Sequence, residues 1–218
     1  MRIDIVLDVI CPWCFIGKRR LEKALALRRE IEPELYWRPF QLNPDMPGAG
    51  MARDDYLAAK FGAAQHAGRI YQTVADAGAS VGIRFAFERI RRTPATREAH
   101  RLIRHAEALG CADMLVELMF RAYFLEGSDL GDRGVLTELA AAAGLERAET
   151  RRFLDGTAGL AEIVAEDRGA RRLGINAVPC FVFEGQYAVS GAQEPEFFFP
   201  VFDLIANGEA ARVHERGM

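Results

Sequence analysis

Ile3-Asp4-Ile5-Val6-Leu7-Asp8-Val9-Ile10-Cys11-Pro12-Trp13-Cys14 decides the fold. The first eight residues form an apolar run of the kind found in strands covered on both faces. Phe15-Ile16-Gly17-Lys18-Arg19-Arg20-Leu21-Glu22-Lys23-Ala24-Leu25 then reads as a helix. Pro12 suits the first helical turn, where its missing N–H has no partner to lose. Two thiols therefore sit where a buried strand ends and a helix begins. A helix start carries roughly half a positive charge, which stabilises a thiolate at Cys11, the form that attacks disulfides. Cys14, one turn on, is near enough to close a short disulfide with it. The alternatives are half of a zinc site and two inert buried thiols. Structural zinc usually takes four ligands, often as two close pairs. Cys111 and Cys180 stand alone, and His66, His100, His105 and His214 make no paired spacing with them.

Working outward, Glu34-Leu35-Tyr36-Trp37-Arg38-Pro39-Phe40 reads as a second strand, with Pro39 at its end or at a sheet edge. Strand, crossover helix and strand make a βαβ unit, so the two strands should be parallel. Gln41 to Gly50, with Pro44, Pro47, Gly48 and Gly50, is a loop and the best boundary candidate. Helical patterning then dominates. It predicts helices over Arg53–Phe61, Ala64–Ala77, Thr96–Leu109, Ala112–Leu125, Gly134–Ala143 (capped by Asp132), Arg147–Leu154 and Leu160–Leu173. Val81 to Ile90 alternates Ile83, Phe85 and Phe87, as in a short extended segment. Past Gly174 the pattern predicts a hairpin, Cys180–Phe183 and Gln186–Val189 about a Glu184-Gly185 turn. A final helix over Pro195–Ala206 carries Phe198, Phe202 and Ile205 on one core-facing stripe.

The expected class is α/β: a thioredoxin-like fold with a large helical domain inserted between its βαβ and ββα halves. The expected divisions are residues 1–51 and 174–218 for the two halves and 52–173 for the insertion. The 218 residues carry a net charge of −3, are 50% hydrophobic and mix the signs throughout. No basic patch suits nucleic acid and no apolar run approaches the roughly 20 residues of a membrane span. The first strand begins almost at once, with no secretory signal pattern before it. The expectation is a cytoplasmic protein, unless a leader has been removed, with no nucleic-acid or membrane partner. Four cysteines in a reducing compartment point to catalysis, metal binding or burial rather than a disulfide framework.

Asp8-Val9-Ile10-Cys11-Pro12-Trp13-Cys14-Phe15-Ile16-Gly17-Lys18, Trp37-Arg38-Pro39-Phe40-Gln41-Leu42-Asn43-Pro44, Ala122-Tyr123-Phe124 with Leu136, Ala177-Val178-Pro179 and Val189-Ser190-Gly191-Ala192-Gln193 together carry a resemblance. The chain resembles the DsbA-like thioredoxin-fold oxidoreductases, in particular their FrnE-like branch. That branch is related to 2-hydroxychromene-2-carboxylate isomerases and kappa-class glutathione transferases. The resemblance implies a cis peptide at Val178-Pro179 facing the thiols. It implies thiol–disulfide exchange, with Cys11 attacking, Cys14 resolving, and Pro12, Trp13, Val178 and Pro179 framing the substrate groove. No metal or organic cofactor is implied. The partner is a thiol- or disulfide-bearing protein or small molecule, with glutathione a candidate co-substrate; the oligomeric state is left open. The alternative is a glutathione-dependent isomerase or transferase. Those relatives typically carry Ser where this chain has Cys11, and the stretch that lies near the bound thiol in them departs here from the family's usual Asn-Thr, being Ala95-Thr96. The usual Thr after the cis-proline is Cys180 here, expected to be buried, unbonded and near the pair. His100 and His105 read as surface or core histidines, Cys111 as a helix-end residue, and Arg89, Arg91 and Arg92 as a solvated face.

Overall fold

In the computed structural model the chain is described over residues 1–62 and 64–216, with side chains over 1–62 and 68–208. The side chains of His66 and His214, weighed above as zinc ligands, lie outside the described residues. Strand β1 (Arg2–Leu7) buries Ile3, Ile5, Val6 and Leu7 almost completely. It pairs in parallel with β2 (Glu34–Pro39), in register from Arg2 opposite Glu34 to Leu7 opposite Pro39. Helix α1 (Pro12–Leu27) makes the crossover between them. On its other edge β1 pairs antiparallel with β5 (Cys180–Phe183), and β6 (Tyr187–Ser190) completes a four-stranded sheet of order β2-β1-β5-β6. This is the thioredoxin-like arrangement that the βαβ and ββα patterns predict.

The hairpin return strand lies one residue later than the pattern suggests. Glu184 and Gly185 both adopt positive φ, 50° and 65°, as a tight two-residue hairpin turn requires. The Gln186 N–H then closes the turn on the Phe183 carbonyl, so Tyr187 is the first strand residue. The terminal segment opens as a 3-10 turn over Pro195–Phe198 and runs on as α9 (Phe199–Arg216), well past the expected Ala206. Its stripe is core, as expected: Phe198 meets Phe181 edge-on at 5.2 Å and Phe202 meets Phe183 at 5.8 Å.

Between the halves lie α2 (Arg53–Phe61), α3 (Ala64–Ala79), α4 (Arg97–Glu107), α5 (Ala112–Arg121), α6 (Arg133–Ala142), α7 (Arg147–Asp155) and α8 (Leu160–Arg172). Asp132 caps α6, accepting from the Gly134 and Val135 N–H groups. The expected end of α5 at Leu125 is a π-turn over Ala122–Glu126. Val81 to Ile90 is not an extended strand. It is irregular and ends in a 3-10 turn over Phe87–Arg89, because Phe85 and Phe87 turn inward onto Phe124. A two-residue antiparallel ladder, β3 (Met51–Ala52) with β4 (Arg92–Thr93), is too short to show in sequence. The expected division after residue 51 falls inside it.

Sheet and helices share one core. On one face α1 lies over β5, and its Phe15 stacks on Phe120 of α5 at 5.0 Å. On the other, Asp4, Val6 and Val182 share a groove with Ala170 of α8 and with Leu173, which caps its end. Phe198 is fully buried and bridges β5 to α9. Phe198→Ala should lower stability by about 3–5 kcal/mol, read from urea unfolding. A loss below about 1 kcal/mol would show that the terminal segment is not part of the cooperative core.

Candidate active site

Cys11 caps α1 from an extended conformation (φ −91°, ψ 113°), and Pro12 occupies the first helical turn. The Cys11 N–H donates to the Asp8 carbonyl at 3.0 Å, and the Cys14 N–H to the Cys11 carbonyl at 3.0 Å. These bonds fold the strand end into the helix and place both thiols in one turn. Both are free. Across from them the Val178–Pro179 peptide is cis. The Cys11 Sγ lies 3.6 Å from the Val178 carbonyl oxygen, to which the thiol donates. Gly17 makes this approach sterically open: a Cβ there would fall 2.7 Å from Pro179 Cγ and 3.1 Å from Phe181 Cζ.

The helix position of Cys11 suggests an exposed sulfur. The structure corrects this: the residue is 5% exposed, covered from the Val178 side and open only to a cleft. Cys14 is 3% exposed and does not line the cleft, as its place a turn deeper predicts. Burial pushes its thiol well above the ordinary value, helped by its hydrogen bond to Cys11 and by the charges of Cys11 and Asp8. Cys180 is free and buried, and burial raises its thiol also. It stands opposite Val6 in the sheet and belongs to the same apolar cluster as Cys11 and Cys14.

The cleft holds about 330 Å³. Its inner wall comes from the sheet end: Ile10, Cys11, Pro12, Trp13, Leu42 and Asn176 to Val178. Thus four of the residues singled out in sequence meet here, while Pro179 packs behind, against Gly17. The outer wall comes from the helical segment, including Arg53, Tyr56, Lys60, Phe61, Tyr71, Val74 and Phe124. Sequence reading missed this wall; Arg53 and Lys60 near aromatic Tyr56 and Phe61 were its only local sign. Arg53 donates to the Thr93 hydroxyl at 3.0 Å and to the Tyr71 hydroxyl, and sits over the Tyr56 and Tyr71 rings at 5.5 and 5.4 Å. The Lys60 ammonium lies 5.3 Å from the Tyr56 ring centre. No carboxylate lines the cleft among the described residues, so its outer wall is cationic.

Behind the thiols, Asp8 is fully buried and His100 is 3% exposed; His100 is a core histidine with Asp8 before it. The sign for Asp8 was there to read, as a carboxylate inside an apolar strand. His105 stacks on Phe153 at 4.5 Å, Cys111 is the residue before α5, and Arg89, Arg91 and Arg92 are exposed and away from the cleft. No cluster of three or more metal-ligating side chains occurs among the described residues. No described helix is long and apolar enough to cross a membrane.

A cysteine pair at a strand–helix joint, facing a proline loop on a four-stranded sheet of this order, defines a thioredoxin-fold site. Residues 2–200 match the family model of the DSBA-like thioredoxin domain, and the chain belongs to that family. It is similar to a probable DsbA oxidoreductase from Streptomyces coelicolor: 34% identical, covering 92% of this chain and 88% of that one, TM-score 0.83. The cytosolic disulfide reductase DsbM from Pseudomonas aeruginosa, in a structure with GSH, shares the fold at 18% identity, with 95% and 100% covered and a TM-score of 0.62. A 2-hydroxychromene-2-carboxylate isomerase shares it at 17% identity, with 100% of each chain covered and a TM-score of 0.67.

The raised thiols of Cys14 and Cys180 couple folding to alkaline pH. In the unfolded chain a thiol ionises near its ordinary pKa of about 8.5. The folded chain holds those protons to higher pH, so above about 8.5 the unfolded state binds fewer and stability falls as pH rises. Each thiol contributes at most about 1.4 kcal/mol per pH unit. Urea midpoints under reductant should therefore decline between about pH 8 and 10, less steeply in Cys14→Ala. Equal slopes in parent and variant would show that the Cys14 thiol titrates alike in both states.

Proposed function

We propose that the protein is a thiol–disulfide oxidoreductase whose centre is Cys11-Pro12-Trp13-Cys14, with Cys11 the nucleophile and Cys14 the resolving thiol. The observation that carries this reading is the asymmetry of the pair. Cys11 opens onto a cleft at a helix start, whereas Cys14 lies beneath with its thiol raised by burial. A buried thiol reacts slowly with outside disulfides. It still attacks a mixed disulfide held on Cys11, because that step is intramolecular and needs no encounter. In the reductive direction the Cys11 thiolate attacks one sulfur of the substrate, which leaves its other half as a thiol. Cys14 then displaces the bound half and the enzyme is left as the disulfide.

Pro12, Trp13 and Val178 frame the bound substrate in this reading, with Pro179 packed behind them. The cationic outer wall, with Arg53 and Lys60, suits a substrate bearing carboxylates, glutathione among the small thiols. The S. coelicolor relative is named a probable DsbA oxidoreductase, and DsbM a cytosolic disulfide reductase solved with GSH; both lie in the same direction. We place the activity in the cytoplasm, with no metal or organic cofactor. In the rival reading the chain is a glutathione-dependent isomerase or transferase, a class represented among its fold neighbours. Cys11 would then only activate bound glutathione, and Cys14 would be dispensable.

Mass spectrometry of two variants after reaction with oxidised glutathione separates these readings. Cys11→Ser should show no adduct and no exchange. Cys14→Ser should trap glutathione on Cys11. An adduct on Cys14 alone would reverse the roles, and full exchange in both variants would leave the isomerase reading standing.

A further inference from the structure

A second groove opens beside the cysteine cleft. It lies between the loop after β2 and helix α2 and holds about 490 Å³. The two hollows meet at Leu42, Tyr56 and Lys60, which line both. Pro44, Asp45, Met46, Met51 and Ala59 line the groove and not the cleft. Its loop wall is built rather than loose. The Leu42 N–H donates to Asp8 Oδ2 at 2.7 Å, the Met46 N–H to the Asn43 carbonyl at 3.1 Å, and the Gly50 N–H to the Pro47 carbonyl at 2.7 Å. Met46 and Tyr56 belong to one small apolar cluster, with Met51 packed against it. At the junction stands Lys60, exposed, its ammonium 5.3 Å from the Tyr56 ring centre. The ion pairs that lysines make among the described residues are all made by Lys18, so Lys60 offers an unpaired positive charge.

The cleft, at about 330 Å³, is near the lower end of the range for small-ligand sites, about 300–1,000 Å³. It has room for a short stretch around a disulfide, and anything longer must leave it. The groove is a continuation, and its chemistry says what continues. Methionine is unbranched and adapts to side chains of differing shape, as a surface for varied apolar residues requires. The polar glutamyl and glycyl arms of glutathione gain little from such a lining. We propose that this groove binds the polypeptide segment flanking the disulfide that Cys11 attacks, with an acidic residue of that segment held against Lys60. The proposal rests on the thiol–disulfide reading above and names its substrate class. That class is an extended chain with a carboxylate beside its cysteine and apolar side chains beyond.

The test is single-turnover reaction of the reduced full chain with short peptides whose central cysteine is joined in a disulfide to neutral 2-thiopyridine. Cys11 bonds to the peptide sulfur, and 2-thiopyridine leaves with the electron pair of the broken S–S bond and is read by absorbance. Cys14 then displaces the peptide as a thiol, so two protein thiols are oxidised and the probe disulfide is reduced. Glutathione carrying the same leaving group is the reference. The peptides carry leucine beyond the cysteine and Asp, Gly or Lys beside it. At low salt the Asp peptide should react about fivefold faster than the Lys peptide, the size of an exposed ion pair, and high salt should erase the preference. Lys60→Gln should abolish it and Lys60→Glu invert it. Ala59 is exposed on α2, and Ala59→Trp fills the groove. It should lower the rate constant for the Gly peptide, relative to that for the glutathione probe, by about tenfold, as loss of one buried apolar side chain does. Ala59→Gln decides the matter if Ala59→Trp fails to fold by near-UV circular dichroism. A parent indifferent to the flanking charge overturns the proposal. So does an unchanged ratio in the folded Ala59 variant, whether both probes keep their rates or both slow alike. A parent that keeps the peptide bound and closes no Cys11–Cys14 disulfide sinks the exchange reading, and the proposal with it.

Discussion

Strand β1 is hydrogen-bonded along both edges, in parallel by β2 and antiparallel by β5, and covered by helices on both faces. Strand β5 shares this double pairing, lying between β1 and β6. The last residues of β1 have only one way to go: the chain turns at Asp8, caps a helix with Cys11 and starts α1 at Pro12. The same pairing that fixes β1 brings β5 alongside, and the residues leading into β5 lay the Val178 carbonyl over Cys11. Strand pairing and site assembly are thus one event. A register slip of one residue between β1 and β5 would turn every side chain of β5 to the other face. Phe181 and Phe183 would leave the core, and Pro179 would lose its seat on Gly17.

The two thiols differ because the helix buries them unequally. One turn of α1 separates a sulfur on a cleft wall from one sealed in apolar surroundings. The cleft, in turn, is a joint product. Without the helical segment, the sheet end would offer Cys11 a shallow rim. With it, Arg53, Tyr56, Tyr71 and Phe124 build an opposing wall, so what reaches Cys11 must fit between the two. The short β3–β4 ladder pins the start of α2, which carries Arg53 and Tyr56, to the strand that ends at Thr93.

The sheet and the cysteine pair were legible because their signals are local. The apolar run, Pro12, the Glu184-Gly185 turn and the phenylalanine stripe each announce their own backbone. Most helix limits were legible for the same reason, as at Arg53–Phe61 and at Asp132. The outer wall was not, since which face of α2 and α3 meets the sheet end depends on tertiary packing. Phe85 and Phe87 misled because alternation in a short segment also fits an irregular chain that tucks two rings inward. The depth of Cys11 escaped for a like reason: the atom that covers it belongs to Val178, 167 residues away. Asp8 and His100 are a pair only in space, and nothing in their spacing of 92 positions says so.

That separation of 167 residues also has a meaning in time. A ribosome adds about 5–20 residues per second, so roughly 10 to 30 seconds pass between the making of Cys11 and of Val178. Through that interval the emerging chain has its cysteine pair and the βαβ unit but no β5. The open edge of β1 is then a sticky template for any passing strand. The thiols, not yet roofed, are accessible to oxidants and to other nascent chains. The thiols are most accessible before the protein exists as a folded object, and the arrival of about the last fifth of the chain both shuts the sheet and roofs the sulfur.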